Sequence, residues 1–198
     1  ISAPGPASGA PSPMADLPGG TSFGSLVHAV YETSDPSDPS WPAPLDAVVA
    51  SALPRHPVSG VTAAQLVTAM GPSFDTPLGP LAPGLTLRSF QGRDRLCELD
   101  FEFALANPSA TLADIASLLA THLPADDPLH AYPDRLASPG LASQQLHGFL
   151  TGSIDVVLRR PDGGCLVVDY KTNRLAPTDV PLTVGHYTPV AMAEAMMA

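Results

Sequence analysis

Cysteine is almost missing from this chain, and basic residues are scarce. Only Cys97 and Cys165 occur; both sit in apolar, strand-like surroundings and read as buried thiols. Two thiolates cannot supply the four ligands of a typical iron–sulfur cluster, so no such cluster is expected. Lys and Arg total 9 against 19 Asp and Glu, a formal net charge of −10. Affinity for a phosphate backbone normally rests on a Lys/Arg surface, so this chain is not expected to grip DNA unaided. The deficit does not count against catalysis, because carboxylates are what hard metal ions need. No apolar run approaches the roughly 20 residues of a membrane span, and no signal peptide is visible. A cytoplasmic protein without membrane contact is therefore expected. A Gly-x-x-x-x-Gly-Lys-Ser/Thr phosphate loop is also missing, which removes ATP binding from this chain's expected properties.

What is present is apolar and much interrupted. Of 198 residues, 44% are hydrophobic, enough for a real core, while 24 prolines and 16 glycines predict long irregular connections. Residues 1–20 are rich in Pro, Ala, Gly and Ser and read as a flexible linker. A folded domain is expected over 21–198. Leu26, Val27, Val30 and Tyr31 predict a helix beginning near Ser22 or Ser25, stopped by Ser34-Asp35-Pro36-Ser37-Asp38-Pro39. His28 and Glu32 are neighbours on that helix. Further helices are predicted over 44–53, 61–71 and 112–123, with a strand over 96–103 and a loop over 124–143. The chain stops inside a helix-like pattern, 191–198, and reads as a piece of something larger, truncated at its C-terminal end.

The chemistry concentrates in one hairpin. Gly152-Ser153-Ile154-Asp155-Val156-Val157-Leu158 and Leu166-Val167-Val168-Asp169-Tyr170-Lys171 are β-like runs, joined by Arg159-Arg160-Pro161-Asp162-Gly163-Gly164. Asp155 and Asp169 each place a carboxylate in an otherwise apolar strand. Lys171, two residues after Asp169, projects to the same face. A water-facing acid and a surface Asp–Lys pair are the bland alternatives for each alone. In an ordinary hairpin, however, both carboxylates and the ammonium converge, as a divalent-metal site for cutting phosphodiester bonds requires.

Asp155 followed by Asp169-Tyr170-Lys171 resembles the D…(D/E)xK signature of the restriction-endonuclease-like nuclease superfamily. The surrounding text is more specific. Gly20-Thr21, Leu26 to Glu32 around His28, Cys97-Glu98-Leu99-Asp100-Phe101, Leu150 to Asp155, Val168 to Asn173 and Tyr187 to Met192 occur in the order found in the RecB family of nuclease domains. The resemblance covers roughly residues 17–198. It implies an α/β fold, a restriction-endonuclease-like core with a small mixed β-sheet flanked by helices. It implies His28, Asp155 and Asp169 as metal ligands, the Tyr170 backbone carbonyl as a further ligand, and Lys171 as catalytic. Glu98 corresponds to the family's acidic residue on the preceding strand, with Asp100 the same-face alternative. Thr172 and Asn173, just past the strand, are candidates for DNA-phosphate contacts. Mg²⁺ suits the oxygen ligands, and Mn²⁺ tolerates the histidine more readily.

The resemblance further implies a metal-dependent deoxyribonuclease domain of a helicase–nuclease subunit, acting on DNA with RecC-like and RecD-like partners in double-strand break repair. ATP would belong only to the helicase part. The family's Gln-x-x-x-Tyr helix beyond the catalytic strand is not found, since Gln144, Gln145 and Tyr187 do not match it. Impaired catalysis is expected from that departure. The competing readings are a catalytically inactive nuclease fold serving as a scaffold, a free-standing nuclease of the same superfamily, and a pure interaction module.

Overall fold

The computed structural model describes residues 9–105 and 109–197. Among them are six α-helices and a three-stranded sheet of order β1-β2-β3. In chain order the elements are α1 (Thr21–Thr33), α2 (Ala43–Ala52), α3 (Ala63–Phe74), β1 (Arg95–Ala104), α4 (Leu112–His122), α5 (Tyr132–Leu136), β2 (Phe149–Arg159), β3 (Cys165–Val168) and α6 (Pro189–Met197). The fold is mixed α/β, as expected, but the sheet is antiparallel rather than mixed. The connection between β2 and β3 is a tight turn, which can only return the chain antiparallel. The loop expected over 124–143 contains α5, a five-residue helix with Pro133 near its start, where proline suits the first turn.

The chain divides into two compact units. The first comprises the chain through Asp100 together with Ser153–Val184, and it holds every candidate site residue. Its core follows from α1, where Phe23, Leu26, Val27, Val30 and Tyr31 fall at helical spacing and are all buried. They pack with Leu45 and Val49 of α2, Leu66, Met70 and Phe74 of α3, and Val156 and Leu158 of β2. A Thr62/Gln65 capping box starts α3 by satisfying the first free backbone donors. Within the stretch whose composition suggests a linker, residues 11–17 are seated on this unit. Pro11 bridges Thr183, Ser12 N–H donates to the Leu182 carbonyl at 2.9 Å, and Met14 and Leu17 pack against the core. Two apolar anchors among many Pro, Ala and Gly residues were hidden by the average composition.

The second unit comprises Phe101–Gly152 and residues from Gly185 onward. Here α4 and α5 pack together, and Leu105 N–H donates to the Gly148 carbonyl at 2.9 Å. Gly152 lies under the Phe101 ring so closely that a Cβ would come within 2.6 Å of it. Only glycine fits there.

In the first unit, β2 and β3 pair antiparallel with Val156 opposite Val168 and Arg159 opposite Cys165. Arg159 also donates twice to Asp94, at 2.6 and 3.0 Å, tying the end of β2 to the chain just before β1. This guanidinium holds the Asp94 carboxyl below its ordinary range. The β2–β3 ladder ends at Val168, and the next three residues are Asp169, Tyr170 and Lys171. Their backbone groups are thereby free for other partners.

Candidate metal centre

Those partners are side chains. The Asp155 carboxylate accepts the Tyr170 N–H at 2.6 Å, extending the hairpin where the ladder stops. The Tyr170 carbonyl lies 2.8 Å from His28 Nε2. A carbonyl can only accept, so Nε2 carries a proton, and in the neutral ring Nδ1 keeps its lone pair. Nδ1 faces Asp155 Oδ1 at 3.6 Å. His28 reaches this point because α1 buries its apolar stripe and leaves position 28 half-buried on the flank.

Glu98 completes the group. One ligand atom each from His28, Glu98 and Asp155 lie within 4.8 Å of one another. Glu98 has φ of 47°, the only non-glycine residue at positive φ among those described. A left-handed glutamate costs about 1–2 kcal/mol; such outliers gather at functional sites. Burial first, and then the charges of Asp155 and Glu32, push the Glu98 carboxyl above its ordinary range. Its folded form therefore holds a proton at a pH where the unfolded chain has lost it. This contribution to stability is present at low pH and is lost as pH rises through the raised folded value. A cation between the two carboxylates reverses the sign, favouring the ionised form.

Two crowded acids, one of them on strained backbone, beside an imidazole suit a divalent cation. The donors, one nitrogen and several oxygens, fit Mg²⁺ or Mn²⁺ better than a thiolate-seeking metal. The φ at residue 98 also yields a prediction. Glu98→Gly should be more stable than Glu98→Ala by about 1 kcal/mol, reversing their usual order in a strand. Urea midpoints of the two variants would measure it.

Two expected ligands have other partners in the structure. Asp169 follows Val168 and so continues the register opposite Asp155. Yet it is half-exposed and lies outside the His28–Glu98–Asp155 group, with Oδ2 at 2.7 Å from Lys171 Nζ. Neighbouring carboxylates repel one another, and Lys171 is the counter-charge within reach. The Tyr170 carbonyl, expected as a further ligand, accepts the His28 N–H with one of its two lone pairs and orients the ring. Of the two acids left open on β1, Glu98 joins the group and Asp100 does not.

An open groove of ≈ 890 Å³ adjoins these residues. Gly20, Gly24 and His28 line it at four-residue intervals along α1, facing Lys171, Thr172 and Asn173. Arg174 and His56 also line the groove. Lys171 is the chain's single lysine, so its position here is no by-product of a lysine-rich surface. Among the described residues, no helix is long and apolar enough to cross a membrane.

No protein-family model matches the chain. The RecBCD enzyme subunit RecB of Mycobacterium tuberculosis, in strains H37Rv and CDC 1551, is 53% identical over 188 residues, 90% of this chain. The chain is homologous to a segment of RecB. The RecBCD enzyme subunit RecB of Mycolicibacterium smegmatis is 50% identical over 200 residues, 97% of this chain. The chain spans 17–18% of the length of these RecB relatives.

Proposed function

We propose that this chain is the nuclease domain of a RecB-type subunit, a restriction-endonuclease-like fold that hydrolyses DNA phosphodiester bonds with a divalent cation. The observation that carries the reading is the meeting of His28, Glu98 and Asp155 within 4.8 Å beside the chain's only lysine. The RecB similarity supports the same reading. It extends it to double-strand break processing and recombinational repair, with DNA as substrate and RecC-like and RecD-like partners. The acidic balance of the chain fits a division of labour in which the partners and the rest of the subunit grip the DNA.

In this reading His28 through Nδ1, Glu98, Asp155 and Asp169 would hold Mg²⁺ or Mn²⁺. A divalent cation there supplies Lewis-acid charge and makes water a better nucleophile at neutral pH. The Tyr170 N–H keeps the Asp155 carboxylate aimed, and the Tyr170 carbonyl fixes the imidazole tautomer. Lys171 would orient the attacking water or offset charge growing on the phosphate. Thr172 and Asn173 contact the phosphates on either side.

The test is cleavage of linear DNA by the full-length protein, with Mg²⁺ and with a chelator, in the parent and in Asp169→Ala. Metal-dependent cleavage that falls in the variant supports the reading. Cleavage that persists in chelator, or at the parental rate in the variant, overturns it.

A further inference from the structure

The residues proposed to hold the cation come from α1, β1, β2 and the segment after β3, and one residue of α1, Tyr31, contacts both the start of β1 and that segment. Tyr31 lies on α1, one turn after His28. Its ring stacks on that of Tyr170 with centroids 4.0 Å apart and planes within 9°. Its hydroxyl donates to Ser73 Oγ of α3 at 2.6 Å. Its carbonyl accepts from the guanidinium of Arg95 at 3.2 Å, and Arg95 bonds the Ser34 carbonyl at 2.8 Å as well. Arg95 opens β1, three residues before Glu98. Burial raises the Tyr31 hydroxyl above its ordinary range, so the group stays neutral and a steady donor.

The stack matters because of what the Tyr170 backbone does. Its carbonyl receives the His28 Nε2 proton and its N–H is held by Asp155. Any rotation of residue 170 therefore turns the imidazole and the carboxylate together. The Tyr170 hydroxyl is buried with no hydrogen-bond partner, so no polar contact through it fixes the ring. The ring is restrained by its flat contact with Tyr31, together with an edge contact to the His28 ring at 6.1 Å and packing against the core. Parallel rings at 4.0 Å define both its plane and its height.

We infer that Tyr31 is a positioning residue of the metal centre. By stacking on Tyr170 it sets the carbonyl that orients His28, and by its own carbonyl it holds the strand carrying Glu98. This inference rests on the metal-centre reading above, and the experiment separates the two. The probe is Mn²⁺ alone, titrated into the full-length protein and followed by the loss of the free-ion electron paramagnetic resonance signal, without DNA or turnover. Tyr31→Leu should weaken Mn²⁺ binding by about 10- to 100-fold, the usual range for residues that orient ligands. Tyr31→Phe keeps the stack and loses only the Ser73 bond, and should restore parental affinity. Tyr170→Leu, which removes the ring from the other, half-buried side while leaving the carbonyl, should match Tyr31→Leu and serves if that variant does not fold. Tyr170→Phe should bind as the parent does.

Leu66→Ala, a core truncation in α3, is the control for stability, since it should lower the melting temperature without moving Mn²⁺ affinity. If Tyr31→Leu and Tyr170→Leu bind Mn²⁺ as tightly as the parent while His28→Ala and Asp155→Ala do not, the positioning role is wrong and the metal centre stands. If His28→Ala and Asp155→Ala also bind normally, the metal-centre reading itself fails.

Discussion

Asp155→Asn is expected to reduce metal-dependent DNA cleavage by about 10²–10³-fold while leaving the chain folded. The two effects separate because Asp155 has two tasks. Its side chain is 11% exposed and accepts the Tyr170 N–H at 2.6 Å. An asparagine offers an oxygen of nearly the same placement, so the hairpin keeps that bond. What disappears is the negative charge that would hold a cation beside His28. Neutralising residue 155 also removes one of the charges that push the Glu98 carboxyl up, so Glu98 moves back toward its ordinary range. The apo protein should then melt no lower than the parent, or slightly higher. Release of acid-soluble nucleotides from linear DNA gives the first quantity, and a thermal melt in chelator gives the second. Parental cleavage by Asp155→Asn would remove the central carboxylate from the mechanism. A lost fold would mean that the carboxylate is chiefly a hairpin staple.

The hairpin was readable in the sequence because its signals are local. Two apolar runs, a Pro-Asp-Gly-Gly turn and one acid in each run are enough to fix which faces meet. The structure puts Val156 opposite Val168, so Asp155 and Asp169 fall on successive positions of the same register. The long helices were readable for a similar reason, since Leu26, Val27, Val30 and Tyr31 repeat at the helical period. The left-handed turn at Glu98 was not readable. It leaves no mark in residue type, because glutamate is not a residue that normally adopts positive φ. The swing of Asp169 toward Lys171 was equally hidden, since alternation gives a shared face but not a rotamer. Tyr31 looked like one more core residue of α1, and only its partner, 139 positions away in the chain, gives it another task. Contacts at that separation depend on tertiary packing, which no local pattern records.

Phe74→Ala is expected to cost the first unit about 3–5 kcal/mol, lowering its melting temperature by about 6–20 °C. Phe74 is fully buried at the last position of α3. Its ring packs against Tyr31 at 5.1 Å and against Trp41 edge-on at 4.6 Å. Aromatic pairs of this kind contribute about 0.5–1.5 kcal/mol each beyond the burial of area. Truncation therefore removes a large apolar volume and two ring contacts together. The surroundings have little freedom to fill the gap. Pro72 lies two residues before Phe74 inside α3, and Asp75 closes the helix through bonds to the Pro72 and Ser73 carbonyls. Ser73 is also tied to the Tyr31 hydroxyl. A cavity whose walls cannot close retains its full penalty, which places this substitution in the upper part of the range. Because one wall of that cavity is Tyr31, the loss should reach the metal centre too. Phe74→Ala should weaken Mn²⁺ binding where Leu66→Ala does not, although both destabilise the same core. Denaturant unfolding and Mn²⁺ titration on the same samples would show it. Loss of stability without any change in Mn²⁺ affinity would mean that the Tyr31–Tyr170 stack holds its geometry without support from below.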